Sequence, residues 1–237
     1  MKQKNGCMNV VEDKKSEKAF VLEVCMKNKL NVIVVVLLII LGFTSCTSHM
    51  NQSESDEIYA EKIKFQNNIE EILDNLTGHG YHITVRPHPQ YVRHFEEKLK
   101  LLAKKYEDKK DIELQLDFSS NKTVFDADVL ITDWSGIAYE YSFTTLKPTL
   151  FINTPMKIMN PDYKEIDIVP FDIEARDQVG ISVDTDKLSS LNDSVQRLLT
   201  EEIYSKESLA EIRSKYLYNV GTSANVGAKY IIKQLIN

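Results

Sequence analysis

Short apolar runs alternate along the chain with longer segments whose apolar residues recur at helical spacing, and this alternation strongly restricts the fold. The runs with the length of buried strands lie at 81–86, 112–116, 128–132 and 149–152, with a weaker one at 179–183. Helices are predicted at 61–76, 91–106, 119–126, 137–144, 186–200, 205–217 and 223–236. Strands that alternate with helices form right-handed crossovers, so the sequence predicts an α/β domain with a mainly parallel sheet.

Composition and charge narrow the class of ligand. The chain is 43% hydrophobic and 27% charged, which is ordinary for a globular protein, and its net charge is -6. Proteins that bind nucleic acid through its phosphates are usually basic, so nucleic acid is not an expected partner. The sequence contains neither GxGxxG nor GxxxxGK[ST], and it therefore does not predict the usual dinucleotide site or a P-loop.

The segment 30–43 is almost entirely apolar and follows Lys27 and Lys29. Its length is short for a bilayer-spanning helix, which needs about 20 residues, but suits the apolar part of a signal peptide. Thr44 and Ser45 precede Cys46, as small residues do at a bacterial lipoprotein cleavage site. We therefore expect a hydrophobic helix here that acts as a lipoprotein-type signal, with Cys46 as the residue that would be lipidated.

Two alternatives to this signal remain open. The same helix could be an uncleaved membrane anchor with Cys46 unmodified, or it could be a buried core helix. The first two interpretations place the protein at the bacterial cell membrane, on a face that the sequence does not identify. The predicted organisation is a leader at 1–46, a polar linker at 47–60 and one folded domain at 61–237.

Cysteine and histidine positions give no indication of a metal site. The three cysteines, Cys7, Cys25 and Cys46, all precede the predicted domain, which excludes a disulfide framework or a thiolate metal site within it. The histidines of the domain have no partner at the spacing of metal ligands. We expect no metal and no cofactor.

The first candidate site motif, Arg86-Pro87-His88-Pro89, follows the strand at 81–86. Ligands of open α/β sheets bind beyond the carboxyl ends of the strands. Arg86 offers a planar set of donors that suits phosphate, and His88 can donate to a phosphate or move a proton near neutral pH. The alternative is a strand-ending turn with a solvated Arg86 and His88.

The second motif, Asp133-Trp134-Ser135-Gly136, stands between the strand at 128–132 and a predicted helix. A helix N-terminus presents free N–H groups and a positive dipole to a phosphate, Ser135 adds a hydroxyl, and Gly136 allows close approach. The alternative is that Asp133 or Ser135 only caps the helix. Glu140, one turn further on, could bind ribose hydroxyls, or it could be a solvated residue of the helix surface.

These motifs, in this order, resemble those of the CDP-glycerol:poly(glycerophosphate) glycerophosphotransferases. The resemblance rests on the two motifs above, together with Ala127–Thr132, Tyr139-Glu140-Tyr141 and Lys147–Phe151, and it extends over roughly 65–235. It implies a Rossmann-like domain equivalent to the C-terminal, nucleotide-binding half of a GT-B fold. The implied reaction transfers glycerol phosphate from CDP-glycerol to a hydroxyl of a lipid-linked, teichoic-acid-type polymer and releases CMP.

The resemblance also implies a role for each motif residue. Arg86 and His88 would contact or activate the transferred phosphate, Asp133, Ser135 and Gly136 would line the donor pyrophosphate pocket, and Glu140 would face the ribose. Trp134 and Gly136 depart from the Tyr and second Ser that the family often has, so one phosphate-binding hydroxyl is lost, although a glycine N–H could replace it.

The resemblance also implies partners. They are CDP-glycerol or a related nucleotide donor, a lipid-linked acceptor, the membrane, and a partner that supplies the acceptor domain, which we expect to be missing. An exported lipoprotein would be separated from cytoplasmic CDP-glycerol. The alternative functions are therefore a membrane-tethered, non-catalytic module that binds a nucleotide or phosphosugar, and a lipoprotein that keeps the fold for another partner.

Overall fold

The computed structural model describes residues 30–34, 68–154 and 165–236, and its centre is a six-stranded parallel sheet. The strands are β1 Leu30–Val34, β2 Tyr81–Val85, β3 Ile112–Leu114, β4 Val129–Thr132, β5 Thr149–Asn153 and β6 Gly180–Asp184. Their order across the sheet is β3-β2-β1-β4-β5-β6. This is the strand order of a Rossmann fold, so the predicted Rossmann-like α/β class is confirmed.

Helices cover both faces of the sheet. The helix α1 occupies 68–76 of the described residues, and the others are α2 Pro89–His94, α3 Glu96–Lys105, α4 Lys122–Asp126, α5 Ile137–Thr145, α6 Phe171–Glu174, α7 Arg176–Val179, α8 Leu191–Thr200, α9 Lys206–Tyr216 and α10 Ser223–Ile236. The single helix predicted at 91–106 is two helices that meet at Phe95. The short helices α6 and α7 were not predicted.

Apolar side chains of the strands alternate between the two faces of the sheet, and the described buried residues form three clusters. Ile131 and Ile152 point to the face covered by α1 and α8, where Leu73 and Val195 are completely buried. Phe151 points to the opposite face and packs with Tyr139 of α5 and Leu209 of α9. Because both faces are covered, the strands are apolar on both sides, as the sequence pattern indicated.

The strand β1 comes from the apolar segment for which a helix was expected, and the structure differs here from the prediction. Leu30–Val34 pairs with β2 along its whole length and with β4 through Val32, Ile33 and Val34. A continuous apolar run suits a strand that is buried in the middle of a parallel sheet. The rest of the segment, residues 35–43, and Cys46 lie outside the described residues, as does most of the predicted linker.

No helix in the described ranges combines the length and the apolar character needed to cross a bilayer. The last helix, α10, has no buried residue over its 14 residues, although it carries apolar side chains such as Ile231 and Leu235.

Gly180 at the start of β6 tests the packing between strands. A Cβ on this residue would overlap the backbone carbonyl of Thr149 in β5. We expect Gly180→Ala to lower the free energy of unfolding by about 1–3 kcal/mol, because the paired strands must move apart. Urea denaturation followed by circular dichroism measures the change.

Gly227→Ala in α10 is the matched control for this substitution. A Cβ there would meet no atom within 4 Å, and alanine favours a helix over glycine by about 0.5–1 kcal/mol. An equal loss of stability in both variants would contradict the close contact between β5 and β6.

Candidate functional site

Both candidate motifs lie at the carboxyl edge of the sheet. Arg86 and His88 follow β2, and Asp133 follows β4, while β1 lies between these two strands. Val34 of β1 is in register with Val85 on one side and with Ile131 on the other. Two strand spacings of about 4.8 Å therefore separate the motifs, or about 10 Å at the strand ends.

The motif after β4 also lies at the topological switch point of the sheet. From β1 the chain order runs to β2 and β3 on one side, and to β4, β5 and β6 on the other. The crevice where this direction reverses is the position at which open α/β sheets bind their ligands. The segment from Asp133 to Gly136 follows β4, one of the two strands that flank this point.

The guanidinium of Arg86 is turned toward the protein. It donates to the carbonyl of Ser120 at 2.8 Å through Nη1 and to Oδ1 of Asn121 at 2.9 Å through Nη2, and Nη1 also donates to Oε1 of Gln115 at 3.2 Å. The Phe118 ring lies 5.4 Å from it. Burial lowers the pKa of Arg86, although it stays charged at neutral pH. These contacts make Arg86 the residue that holds the loop 115–121 beside β2, and contact with a phosphate stays a prediction.

His88 stands between Arg86 and the first turn of α2. Its carbonyl accepts hydrogen bonds from the N–H groups of Tyr91 at 2.8 Å and Val92 at 3.2 Å, which fixes the start of this helix. The imidazole is half-buried, and burial lowers its pKa below the ordinary value of 6.5. At pH 7 the ring is therefore neutral, with one nitrogen that donates and one that accepts.

Asp133 is a buried carboxyl group with an unused oxygen. Its side chain is 9% exposed, and among the described residues Oδ1 has no hydrogen-bond partner, nor does Oγ1 of the neighbouring Thr132. Burial raises the pKa of Asp133 to about 7, against the opposing effects of the Asp133 N–H, the charge of Arg176 and the Trp134 N–H. Buried polar atoms without partners are rare, so these two mark the place where a ligand or water would complete the hydrogen bonding.

The turn at Ser135 and Gly136 begins the nine-residue helix α5. Oγ of Ser135 accepts from the Ile137 N–H at a long 3.4 Å, which is a weak version of the capping that the sequence allowed. Gly136 is exposed, and a Cβ on it would meet no atom within 4 Å. The N-terminus of α5 is therefore open at Gly136, as an approach of phosphate to the backbone requires.

Glu140 lies on the first turn of α5 with an exposed side chain, and its N–H donates to the carbonyl of Gly136 at 3.3 Å. Exposure fits a solvated carboxylate and equally fits one that binds a ribose hydroxyl. The role of Glu140 at the ribose therefore stays a prediction.

Arg176 of α7 joins the site although the sequence analysis did not select it. Its guanidinium donates to the carbonyl of Asp133 at 3.2 Å and to Oδ1 of Asn153 at 2.9 Å, and it lies 3.9 Å from the centre of the Trp134 ring. The Phe151 ring lies 4.2 Å away. Its partners are 43 and 23 residues distant in sequence, so no local pattern pointed to it.

The described part of the chain has no group of three or more His, Cys, Asp or Glu residues that could hold a metal ion. The groups at this edge include a buried carboxyl, an imidazole and two buried guanidiniums.

The raised pKa of Asp133 predicts how the stability of the domain changes with pH. The folded state keeps the Asp133 proton up to about pH 7, whereas the unfolded chain loses it near pH 4. Stability attributable to this group therefore falls as the pH rises from 4 to 7. We expect Asp133→Asn to remove that fall, so that its stability relative to the wild type rises by as much as about 4 kcal/mol between pH 4 and pH 8.

Denaturation at pH 4, 6 and 8 measures this difference, and Asp126→Asn, at an exposed carboxylate close by in the chain, is the control. A difference between Asp133→Asn and the wild type that does not change with pH would contradict a raised pKa for Asp133.

Known structures resemble the chain at low identity. A trehalose-6-phosphate structure from E. coli bound with UDP-2-fluoro glucose is 13% identical with a TM-score of 0.47, over 90% of this chain and 46% of that one. A UDP-forming α,α-trehalose-phosphate synthase from Burkholderia vietnamiensis is 11% identical with a TM-score of 0.47, over 94% and 48%. The chain thus spans less than half of each. No curated protein matches it.

The family comparison is more specific. Residues 51–219, more than half of the chain, match the family described as CDP-Glycerol:Poly(glycerophosphate) glycerophosphotransferase. The matched region contains β2 to β6 and both candidate motifs. The family that the motifs resembled is therefore confirmed, and the chain belongs to the CDP-glycerol:poly(glycerophosphate) glycerophosphotransferase family.

Proposed function

We propose that the chain binds CDP-glycerol at the carboxyl edge of its sheet and serves the transfer of glycerol phosphate to a hydroxyl group of a lipid-linked polymer. Family membership supports this proposal, and one observation carries it: the open N-terminus of α5 lies at the switch point of the sheet. By the same membership, the domain would be the nucleotide-binding half of a GT-B enzyme. The acceptor half would come from a partner.

The diphosphate of the donor would bind at the turn from Ser135 to Gly136. The positive end of the α5 dipole attracts an anion to the exposed backbone at Gly136. Ser135 contributes a hydroxyl, and Gly136 leaves room for a phosphate oxygen to reach the backbone. The unpartnered oxygen of Asp133 suits hydrogen-bond donors of the ligand, such as its hydroxyl groups, whereas the unpartnered hydroxyl of Thr132 can either donate or accept.

The transfer needs one bond to form and one to break. The acceptor oxygen bonds to the phosphorus that carries glycerol, the anhydride bond from this phosphorus to CMP breaks, and the acceptor hydroxyl gives up its proton. A neutral His88 can donate a hydrogen bond to the transferred phosphate or accept that proton. Arg86 supports His88 indirectly, because it fixes the chain on one side of it.

The proposed acceptor also suggests where the reaction takes place. A polymer linked to lipid stays at the membrane, so the transfer would occur at the bacterial cell membrane. This location does not depend on whether the segment 30–43 is a membrane anchor, because the acceptor alone requires it.

Gly136→Ala separates binding from folding. Because Gly136 has helical backbone angles and open space around it, we expect the variant to fold with unchanged or slightly higher stability. The added methyl group would occupy the approach of the phosphate, so we expect affinity for CDP-glycerol to fall at least tenfold. Isothermal titration calorimetry measures the affinity, and Gly227→Ala is again the control. Wild-type affinity in Gly136→Ala would place the diphosphate elsewhere.

His88→Ala tests catalysis. In the presence of an acceptor and the partner half, we expect the variant to release CMP from CDP-glycerol about 10²–10⁴-fold more slowly, because proton transfer contributes about that much. His79→Ala, at the amino end of β2 and in an exposed turn, should release CMP at the wild-type rate. Equal rates in both variants would remove His88 from the mechanism. Binding of CDP-glycerol without CMP release under any condition would instead favour a non-catalytic binding module.

A further inference from the structure

Arg176 connects three neighbouring strands of the sheet. Nη1 donates to the carbonyl of Asp133 after β4, Nη2 donates to Asn153 at the end of β5, and Nε donates to Oγ of Ser182 in β6 at 3.3 Å. Asn153 is itself held by Asp184, through a 2.8 Å hydrogen bond from Nδ2 to Oδ1. The guanidinium therefore fixes the position of the turn after β4 relative to the two strands beside it.

The aromatic contacts of Arg176 act on the same turn. Its guanidinium lies between the rings of Trp134 and Phe151, 3.9 Å and 4.2 Å from their centres. The Trp134 ring is held on another side, because Nε1 donates to the carbonyl of Thr154 at 2.6 Å. Phe151 is completely buried and cannot move easily. Because Arg176 contacts both rings, it restrains Trp134 relative to β5.

We propose that Arg176 is a positioning residue of the donor site, which holds the turn from Asp133 to Gly136 in the shape that receives the diphosphate. This inference rests on the function proposed above. It adds a residue outside both motifs and assigns it no direct contact with the ligand.

The cost of burying Arg176 supports a specific role. The residue is 5% exposed, and burial lowers the pKa of Arg176, although Tyr139 and the nearby Asp133, Asp177 and Asp172 act in the opposite direction. Its three hydrogen-bond partners, a carbonyl, an amide and a hydroxyl, are all uncharged. A buried cation of this kind destabilises a fold unless its geometry is needed, and only a planar guanidinium can stack on two rings while it donates in three directions.

The chain provides its own reporter for this proposal, because Trp134 is its single tryptophan. Fluorescence emission and acrylamide quenching therefore observe the proposed turn alone. The experiment uses the full chain and compares Arg176→Met, which removes the charge, with Arg176→Lys, which keeps the charge but loses the planar stack. Arg213→Lys is the matched control, since Arg213 donates to the carbonyl of Phe143 near the other end of α5.

We expect Arg176→Met to make Trp134 at least twofold more accessible to acrylamide and to weaken CDP-glycerol binding at least tenfold, measured below its melting temperature. Arg176→Lys should give intermediate values, and Arg213→Lys should match the wild type. Wild-type quenching or wild-type affinity in folded Arg176→Met would overturn the proposal. If Arg176→Met does not fold, the same two measurements on Arg176→Lys decide. If the wild type binds no CDP-glycerol, the proposed function fails, and quenching alone then decides whether Arg176 holds the turn.

Discussion

Hydrogen bonding of β1 to β2 on one side and to β4 on the other is the interaction on which the rest of the structure depends. It joins β3-β2 and β4-β5-β6 into one six-stranded parallel sheet. Because the strands run in one direction, the segments that follow β2 and β4 leave the sheet at the same edge. The candidate site is a consequence of this geometry, since His88 and Ser135 belong to segments far apart along the chain.

The sequence predicted most of the fold because its strands are short apolar runs bounded by turn residues. β2, β4 and β5 were located to within one or two residues, and the helices α5, α9 and α10 were also located. The strand β1 was mistaken for a helix because a continuous apolar run has no period that distinguishes a buried strand from a buried helix. Its pairing partners lie about 50 and 100 residues later in the chain, and only the assembled sheet reveals them.

The candidate site was predictable to a different extent. Residue types and strand ends placed the two motifs at one edge, because that inference needs only the direction of parallel strands. They did not show that Arg86 turns inward to hold the loop at Ser120, since the direction of a side chain depends on packing. Nor did they indicate Arg176, whose contacts with Asp133 and Asn153 join distant parts of the chain. The functional groups at a strand end can thus be predicted from the local sequence, whereas the residues that hold those groups in place cannot.

The central position of β1 has a consequence for how the chain can mature. If a peptidase cut before Cys46, it would detach Leu30–Val34 and leave β3-β2 and β4-β5-β6 as two sheets with bare inner edges. Cleavage at that position and the complete six-stranded sheet therefore exclude each other, because the same five residues cannot be removed and also form β1.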